Sequence, residues 1–334
     1  MSFASGPVPG GGGSSGLRSA LTVAAVQLRA EPGEIATNLA HAGELVSQAT
    51  ERGARLILLP ELTPGGYVLT EDLWRSAETM KGQSVSWLRA TANRLGVYLG
   101  MSFLEAEGSD FYNSFVLATP DGEIAGRVRK NPPASAEAYF YRGGDDPHFI
   151  DTPIGRLGVS ICYEALLYER LAEHYRNGID LLLVPASAAT PAPVFPIGRR
   201  SLRGYNAMLA GLAAHHARAL GVPVAMANKC GPLVTAMPRP MPFQDTSFPG
   251  LSTIADADGG VVSQLGSGEG LAVAEVQLDP ARKAVRMPAS HGRWALPVPW
   301  FSFFFAWATF LGARAYAGNR LRAERALAVS RRGD

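Results

Sequence analysis

Cysteine is nearly missing from this chain, which holds two, Cys162 and Cys230, among 334 residues. That scarcity excludes a disulfide framework, and with no spaced Cys/His set it excludes a structural zinc site too. A reducing, cytoplasmic setting with no metal and no cofactor is the expectation. An excess of one charge is missing as well: 31 Lys and Arg stand against 29 Asp and Glu, for a net charge of +2. With the signs interspersed, the chain has no basic field of the kind that holds nucleic acid, and no such partner is expected. The opening stretch MSFASGPVPGGGGSSG lacks the charged and apolar regions of a signal peptide and reads as part of a flexible leader over residues 1–20. Its glycine run at residues 10–13 has neither a preceding strand nor a Gly-Lys-Ser ending, which excludes a phosphate loop. No short-period repeat is present, which excludes a solenoid.

What the chain does have is core: 47% of its residues are hydrophobic, enough for one large domain with tails. From Leu21 the pattern reads as strand (LTVAAVQL), amphipathic helix closed by Gly53 (EIATNLAHAGELVSQATERG) and buried strand (RLILLPE), a βαβ opening. A second helix and strand follow over SVSWLRATANRLGVYLGMSFLEA. FYNSFVLATPDGEIAGRVRK then reads as two antiparallel strands about a Pro-Asp-Gly turn. Further strands are expected at 157–162, 180–185 and 222–228, helices at 164–177 and 199–220, and hairpin character from 250 to 279.

Three reactive side chains stand where strands run out: Glu61 after LILLP, Lys130 after RVR and Cys162 after LGVSI. In α/β folds that edge is where ligands bind. A thiol attacks only as thiolate, so it needs a base and a cation nearby, and glutamate and lysine supply both. Spacing alone leaves two readings of Cys162 open, a nucleophile or a buried strand-end residue.

The motifs around these residues resemble the nitrilase superfamily of carbon-nitrogen hydrolases. LILLPELTPGGY is similar to the family's glutamate motif, RVRKNPPASAEAYFYRGGD to its lysine motif and GRLGVSICYEAL to its nucleophile elbow. LGVPVAMANKCG resembles its strand ending in Asn-x-x-Gly, and the segment to residue 279 its closing hairpin. The resemblance implies a four-layer α-β-β-α sandwich over residues 21–285, followed by an extension, 286–334, with an apolar helical tail. It also implies a homo-oligomer. In roles, it implies Glu61 as general base, Lys130 as catalytic cation, Cys162 as nucleophile and Glu137, seven residues after Lys130, as a second active-site glutamate. Tyr163, Glu164 and Asn228 are the expected substrate-binding residues.

The implied activity is cysteine-dependent hydrolysis of an amide through a thioester. Tyr163 stands where nitrilases usually carry tryptophan, which favours an amide over a nitrile. Cys-Tyr-Glu is similar to the lipoprotein N-acyltransferase branch, although the bundle of membrane helices which that branch carries is not expected before this domain. Transfer of the acyl group to an amine, or hydrolysis of a nitrile, is therefore the alternative, and a non-catalytic membrane scaffold on the same fold is a third. Two prolines after Lys130 depart from the family's usual pattern and reshape the pocket rim. His215 and His216, adjacent on a helix, point about 100° apart and cannot chelate one metal together. Cys230, beside a Gly-Pro turn, is read as packing, as are Tyr139, Phe140 and Tyr141 around the Glu137 loop.

The tail segment WALPVPWFSFFFAWATFLGA, residues 294–313, carries no charge. A helix beginning near Pro299 leaves about 15 apolar residues before Arg314, roughly 22 Å and short of a bilayer core of about 30 Å. Arginines at 314, 320, 322, 325, 331 and 332 follow. Tryptophan and arginine together suit peripheral contact with the inner face of a membrane through Trp300, Phe303, Phe304 and Trp307. A seam with a neighbouring subunit or ordinary core would bury the same aromatics. The expected substrate is a small amide or an acylated amphipathic molecule.

Overall fold

The computed structural model describes residues 18–193 and 197–333; residues 1–17 of the expected leader, glycine run included, lie outside the described residues. Two six-stranded mixed sheets pack face to face and carry helices outside, the four-layer α-β-β-α sandwich. The first sheet holds β1 (Ser19–Gln27), β2 (Leu56–Leu58), β3 (Tyr98–Glu107), β4 (Asp110–Ala118) and β5 (Ile124–Arg129), with α1 (Ile35–Glu51) and α2 (Gln83–Leu95) on its outer face. The second holds β6 (Phe149–Thr152), β7 (Gly155–Val159), β8 (Leu181–Ala186), β9 (Val224–Asn228), β12 (Thr253–Ala255) and β13 (Val261–Gln264), with α3 (Tyr168–Asn177) and α4 (Arg199–Leu220) outside. A separate ribbon pairs β10 (Cys230–Thr235) with β11 (Gln244–Pro249).

The period-two alternation of buried strands explains the layering. Val23 and Ala25 of β1 enter the core between the sheets, whereas Ala24 and Val26 face α1; Leu56 and Leu58 divide from Ile57 in the same way. On α1, Leu39, Ala42, Leu45, Val46 and Ala49 fall on one stripe and bury against that outer face. Each fully buried leucine contributes about 1.5–3 kcal/mol. The helix stops at a turn in which Gly53 takes φ +86°, a conformation a side chain resists.

Three expectations are corrected. The final strand, β14 (Gly270–Leu278), does not close a hairpin with its neighbours; it crosses to the first sheet and pairs antiparallel with β1 from Ser19↔Leu278 to Gln27↔Gly270. Alternation identifies a strand but not its partner. Cys230 opens β10 rather than flanking a turn, and it is buried. The strand expected to end at Cys162 ends at Val159, because the chain turns into a short 3-10 helix, Cys162–Leu166.

The tail forms two helices, α5 (Phe303–Gly318) and α6 (Arg320–Gly333). No helix among the described residues is long and apolar enough to cross a membrane. Helix α5 packs on the 3-10 turn Ser135–Tyr139, and α6 on β3 and β4. The basic end is not wholly a free flank: Arg322 pairs with Asp110, and Arg325 lies 3.4 Å from Glu71. His215 and His216 each sit within reach of a backbone carbonyl, Ala295 O at 2.9 Å and Leu212 O at 3.1 Å.

Candidate active site

The two sheets meet at a polar seam. Glu61 lies three residues past β2 and Lys130 one residue past β5, both on the first sheet; Cys162 and Ser187 follow β7 and β8 on the second. Lys130 Nζ donates to Glu61 Oε1 at 2.7 Å and to Glu137 Oε2 at 2.6 Å, with all three side chains buried. Asn113 Nδ2 donates to Glu61 Oε1 at 2.7 Å, and the Ser187 backbone N–H to Glu61 Oε2 at 2.9 Å. Ser187 Oγ in turn donates to the Glu61 backbone carbonyl at 2.9 Å, which ties one sheet to the other. Glu137 Oε1 accepts from the Tyr67 hydroxyl at 2.8 Å, and Oε2 from the Ala134 N–H at 2.7 Å. Every oxygen of both carboxylates is thus held by a donor, which such burial requires.

Burial pushes the Glu61 pKa up, with Lys130 opposing and Glu137 adding to the rise. Burial works against charge on Lys130, yet Glu137 and Glu61 hold its pKa well above the ordinary lysine value. Burial also raises the Cys162 thiol well above its usual range; Glu61 adds to that and Lys130 opposes it. Lys130 is therefore favoured as the cation and Cys162 as the thiol, beside a Glu61 whose proton affinity burial has strengthened. Cys162 itself sits at φ +53°, a left-handed conformation that costs a side-chain-bearing residue about 1–3 kcal/mol and marks a turn held by its surroundings.

Those surroundings include Glu164, and here the structure departs from the sequence expectation. Glu164 faces away from the cavity. Its Oε2 accepts from the Ile161 N–H at 2.7 Å, and its Oε1 accepts from the Asn131 N–H at 2.8 Å, with His148 Nε2 at 2.6 Å and Arg170 Nη2 at 3.3 Å. It clamps the residue before Cys162 to the residue after Lys130. Burial would raise its pKa, but His148 and Arg170 bring it below the usual glutamate value. Asn228 is also internal: its side chain exchanges hydrogen bonds with the backbone of Ala188 and donates to Gly250 O at 2.8 Å, which secures the loop carrying Ser187. Neither residue lines the cavity. Tyr163 does, with its ring edge-on to Trp294 at 6.1 Å and Phe305 at 6.0 Å.

Sequence reasoning passed over Tyr67, Asn113 and Ser187. Asn113, a lone amide inside the apolar run FYNSFVLA, was the readable signal, since a buried amide needs partners.

Cys162 opens into a cavity of about 390 Å³. Val184, Ala186 and Ala188 form one wall, Tyr205 and Leu209 of α4 a second, and Phe304, Phe305 and Trp307 of the tail a third. The tail therefore completes the site. Among the described residues no group of three His, Cys, Asp or Glu converges as a metal site.

Comparison with known proteins bears on the family and the fold. The carbon-nitrogen hydrolase family model matches residues 22–286. The chain is 28% identical over 277 residues to an N-carbamoylputrescine amidase of Arabidopsis thaliana, covering 79% of this chain and 89% of that protein. It is 31% identical over 173 residues to a nitrilase of Pyrococcus abyssi, covering 51% and 66%. Among solved structures, a carbon-nitrogen hydrolase from Helicobacter pylori superposes with a TM-score of 0.67 at 24% identity, over 79% of this chain and 90% of that one. An amidase from Nesterenkonia, solved with acrylamide added to its active-site cysteine, superposes with a TM-score of 0.61 at 24% identity, over 76% and 92%.

Proposed function

This chain belongs to the carbon-nitrogen hydrolase family, and from that premise we propose that it hydrolyses an amide through a thioester on Cys162. The observation that carries the proposal is the buried Glu61–Lys130–Glu137 cluster, with Lys130 Nζ 2.7 and 2.6 Å from its two carboxylates, beside a thiol that opens to a cavity. Glu61 takes the thiol proton as sulfur attacks the carbonyl carbon. Lys130 and the Tyr163 backbone N–H stabilise the oxyanion, at a site where charge stabilisation is strengthened by exclusion of water. The C–N bond breaks as Glu61 passes its proton to nitrogen, and the amine or ammonia leaves. Water then gives a proton to Glu61 and attacks the thioester; the acid departs as the proton returns to sulfur. Glu137, held by Tyr67, orients Lys130.

Intact-mass spectrometry during turnover tests this directly. An acyl adduct should form on the native chain and vanish in Cys162→Ala, and an adduct that persists in that variant would sink the assignment. Hydroxylamine as acceptor separates hydrolysis from acyl transfer: free acid accumulating in its absence supports hydrolysis, whereas acid at background rate without it, together with hydroxamate formed in its presence, favours an amine acceptor.

We propose as well that α5 rests on an anionic membrane surface. Trp300, Phe303, Phe304, Trp307 and Phe310 are all 41–60% exposed. Arg199, Arg200, Arg203 and Arg314 are exposed too; Arg314 lies over the Phe310 ring, and Trp300 Nε1 reaches Ser201 at 3.4 Å. Aromatics rimmed by arginine match an interface of acyl chains and phosphate. Sedimentation with phosphatidylglycerol vesicles should fall in a Trp307→Ser/Phe310→Ser variant. Equal sedimentation would refute membrane contact, and a change in solution mass instead would assign the face to a second copy of this chain.

A further inference from the structure

Resting on the thioester reading of Cys162, we infer that the acyl group this enzyme accepts is a long apolar chain. The cavity's about 390 Å³ lies within the roughly 300–1,000 Å³ typical of sites for sizeable ligands, far more than a formyl, carbamoyl or acetyl group occupies. Its lining is largely apolar: Val184, Leu209, Leu212 and Met226 are buried, and Met237 and Met241 are partly exposed. Methionine and leucine walls adapt to a flexible hydrocarbon.

Among the described lining residues a charged substrate end meets no free opposite charge, and the buried Tyr163 hydroxyl, which has no hydrogen-bond partner, offers only a neutral contact. Among the described residues lining the cavity, the sole ionisable side chains other than Cys162 and the tyrosines belong to Glu137, and its oxygens are taken by Lys130, Tyr67 and the Ala134 N–H. An ammonium or carboxylate there would have at most that one neutral hydroxyl for its lost water, a cost of several kcal/mol that an apolar end does not carry. Of the neutral polar side chains in the lining, Ser187 donates to the Glu61 carbonyl at 2.9 Å, Thr190 donates to Asn206 at 2.8 Å and Gln244 accepts from the Ala192 N–H at 3.1 Å. Because the bond broken is the one to nitrogen, the group that stays on sulfur beside these walls is the acyl chain. Phe304 and Trp307 belong both to the cavity and to the exposed aromatic face, so an apolar chain passes from one to the other without crossing open water.

The test is the series of straight-chain primary amides from acetamide to decanamide, with release of ammonia and the mass of the Cys162 adduct as readouts. kcat/KM should rise by about fourfold per added methylene until the cavity is filled. Ala188→Phe, which places a ring in the wall beside the thiol, should move the optimum to shorter chains. A flat or falling series, or an optimum unmoved in Ala188→Phe that still alkylates with iodoacetamide, overturns the inference and leaves the thioester reading standing. No ammonia from any amide, together with no iodoacetamide adduct on Cys162, overturns both.

Discussion

Replacing Gly312 with valine should remove most activity while leaving the fold in place. Gly312 lies on α5 against the turn that carries Glu137. A Cβ built there would stand 2.7 Å from the Tyr139 ring and 2.9 Å from both the carbonyl carbon and Cβ of Ala138, the residue after Glu137. Ordinary contacts begin near 3.4 Å, so helix and turn must part by at least about half an ångström, and valine's second carbon layer widens the gap. The turn has little slack: Ser135 already sits at φ +51°, and its N–H donates to Thr309 Oγ1 of α5 at 2.8 Å. Overpacking of this kind costs about 1–3 kcal/mol of stability. A misplacement of about 1 Å at a catalytic group costs on the order of a hundredfold in rate, so a tenfold to hundredfold loss of kcat/KM is expected. Gly318→Ala, where nothing lies within 4 Å, is the control on the same helix. Single-turnover acylation followed by mass, paired with thermal denaturation, reads both quantities. Activity within twofold of the native enzyme in a folded Gly312→Val would refute the idea that the tail positions Glu137.

Tyr67→Phe removes the hydroxyl that holds Glu137 Oε1 and should lower kcat roughly tenfold, consistent with one hydrogen bond of about 1.5 kcal/mol to a charged group; an unchanged kcat in steady-state assays would contradict it. Glu164→Gln breaks a buried pairing with His148 and Arg170 and should lose about 3–5 kcal/mol in urea titrations at pH 7. Because the folded pKa of Glu164 is lowered, its contribution is present above the ordinary glutamate range and is lost as pH falls through the lowered folded value. The variant should therefore show a shallower acid-induced loss than the native chain, and parallel pH curves would count against this. Lys229 is buried, and burial depresses its pKa to about 7, with Leu62 O at 3.2 Å as its hydrogen-bond acceptor. The unfolded chain holds that proton more tightly, so stability should rise from about pH 7 towards 10, and Lys229→Met should flatten the rise. A native curve that already lacks it would refute the assignment.

Much of this was legible in the chain. Glu61, Lys130 and Cys162 could be located because each ends a run of buried strand residues, and those runs carry their own periodicity. What escaped was orientation. Glu164 stands two residues from the thiol in sequence, but a 3-10 turn directs it inward to Ile161 and Asn131, and no spacing rule discloses that. The tail was apolar almost all round, so hydrophobicity alone did not separate Phe301 and Ala308, which are buried, from Trp300 and Phe303, which are exposed. Helix α6 was hidden by its arginines, two of which engage Asp110 and Glu71 across the fold.

The thiol and its base hang from different sheets. Cys162 and Ser187 move with β7 and β8, Glu61 and Lys130 with β2 and β5, and the layer between them is apolar core. Any slip of one sheet over the other separates donor from acceptor before a single strand is lost. Turnover is therefore a gauge of that inner layer's alignment: heat or denaturant that loosens it would silence the enzyme while its backbone spectrum still reads as native.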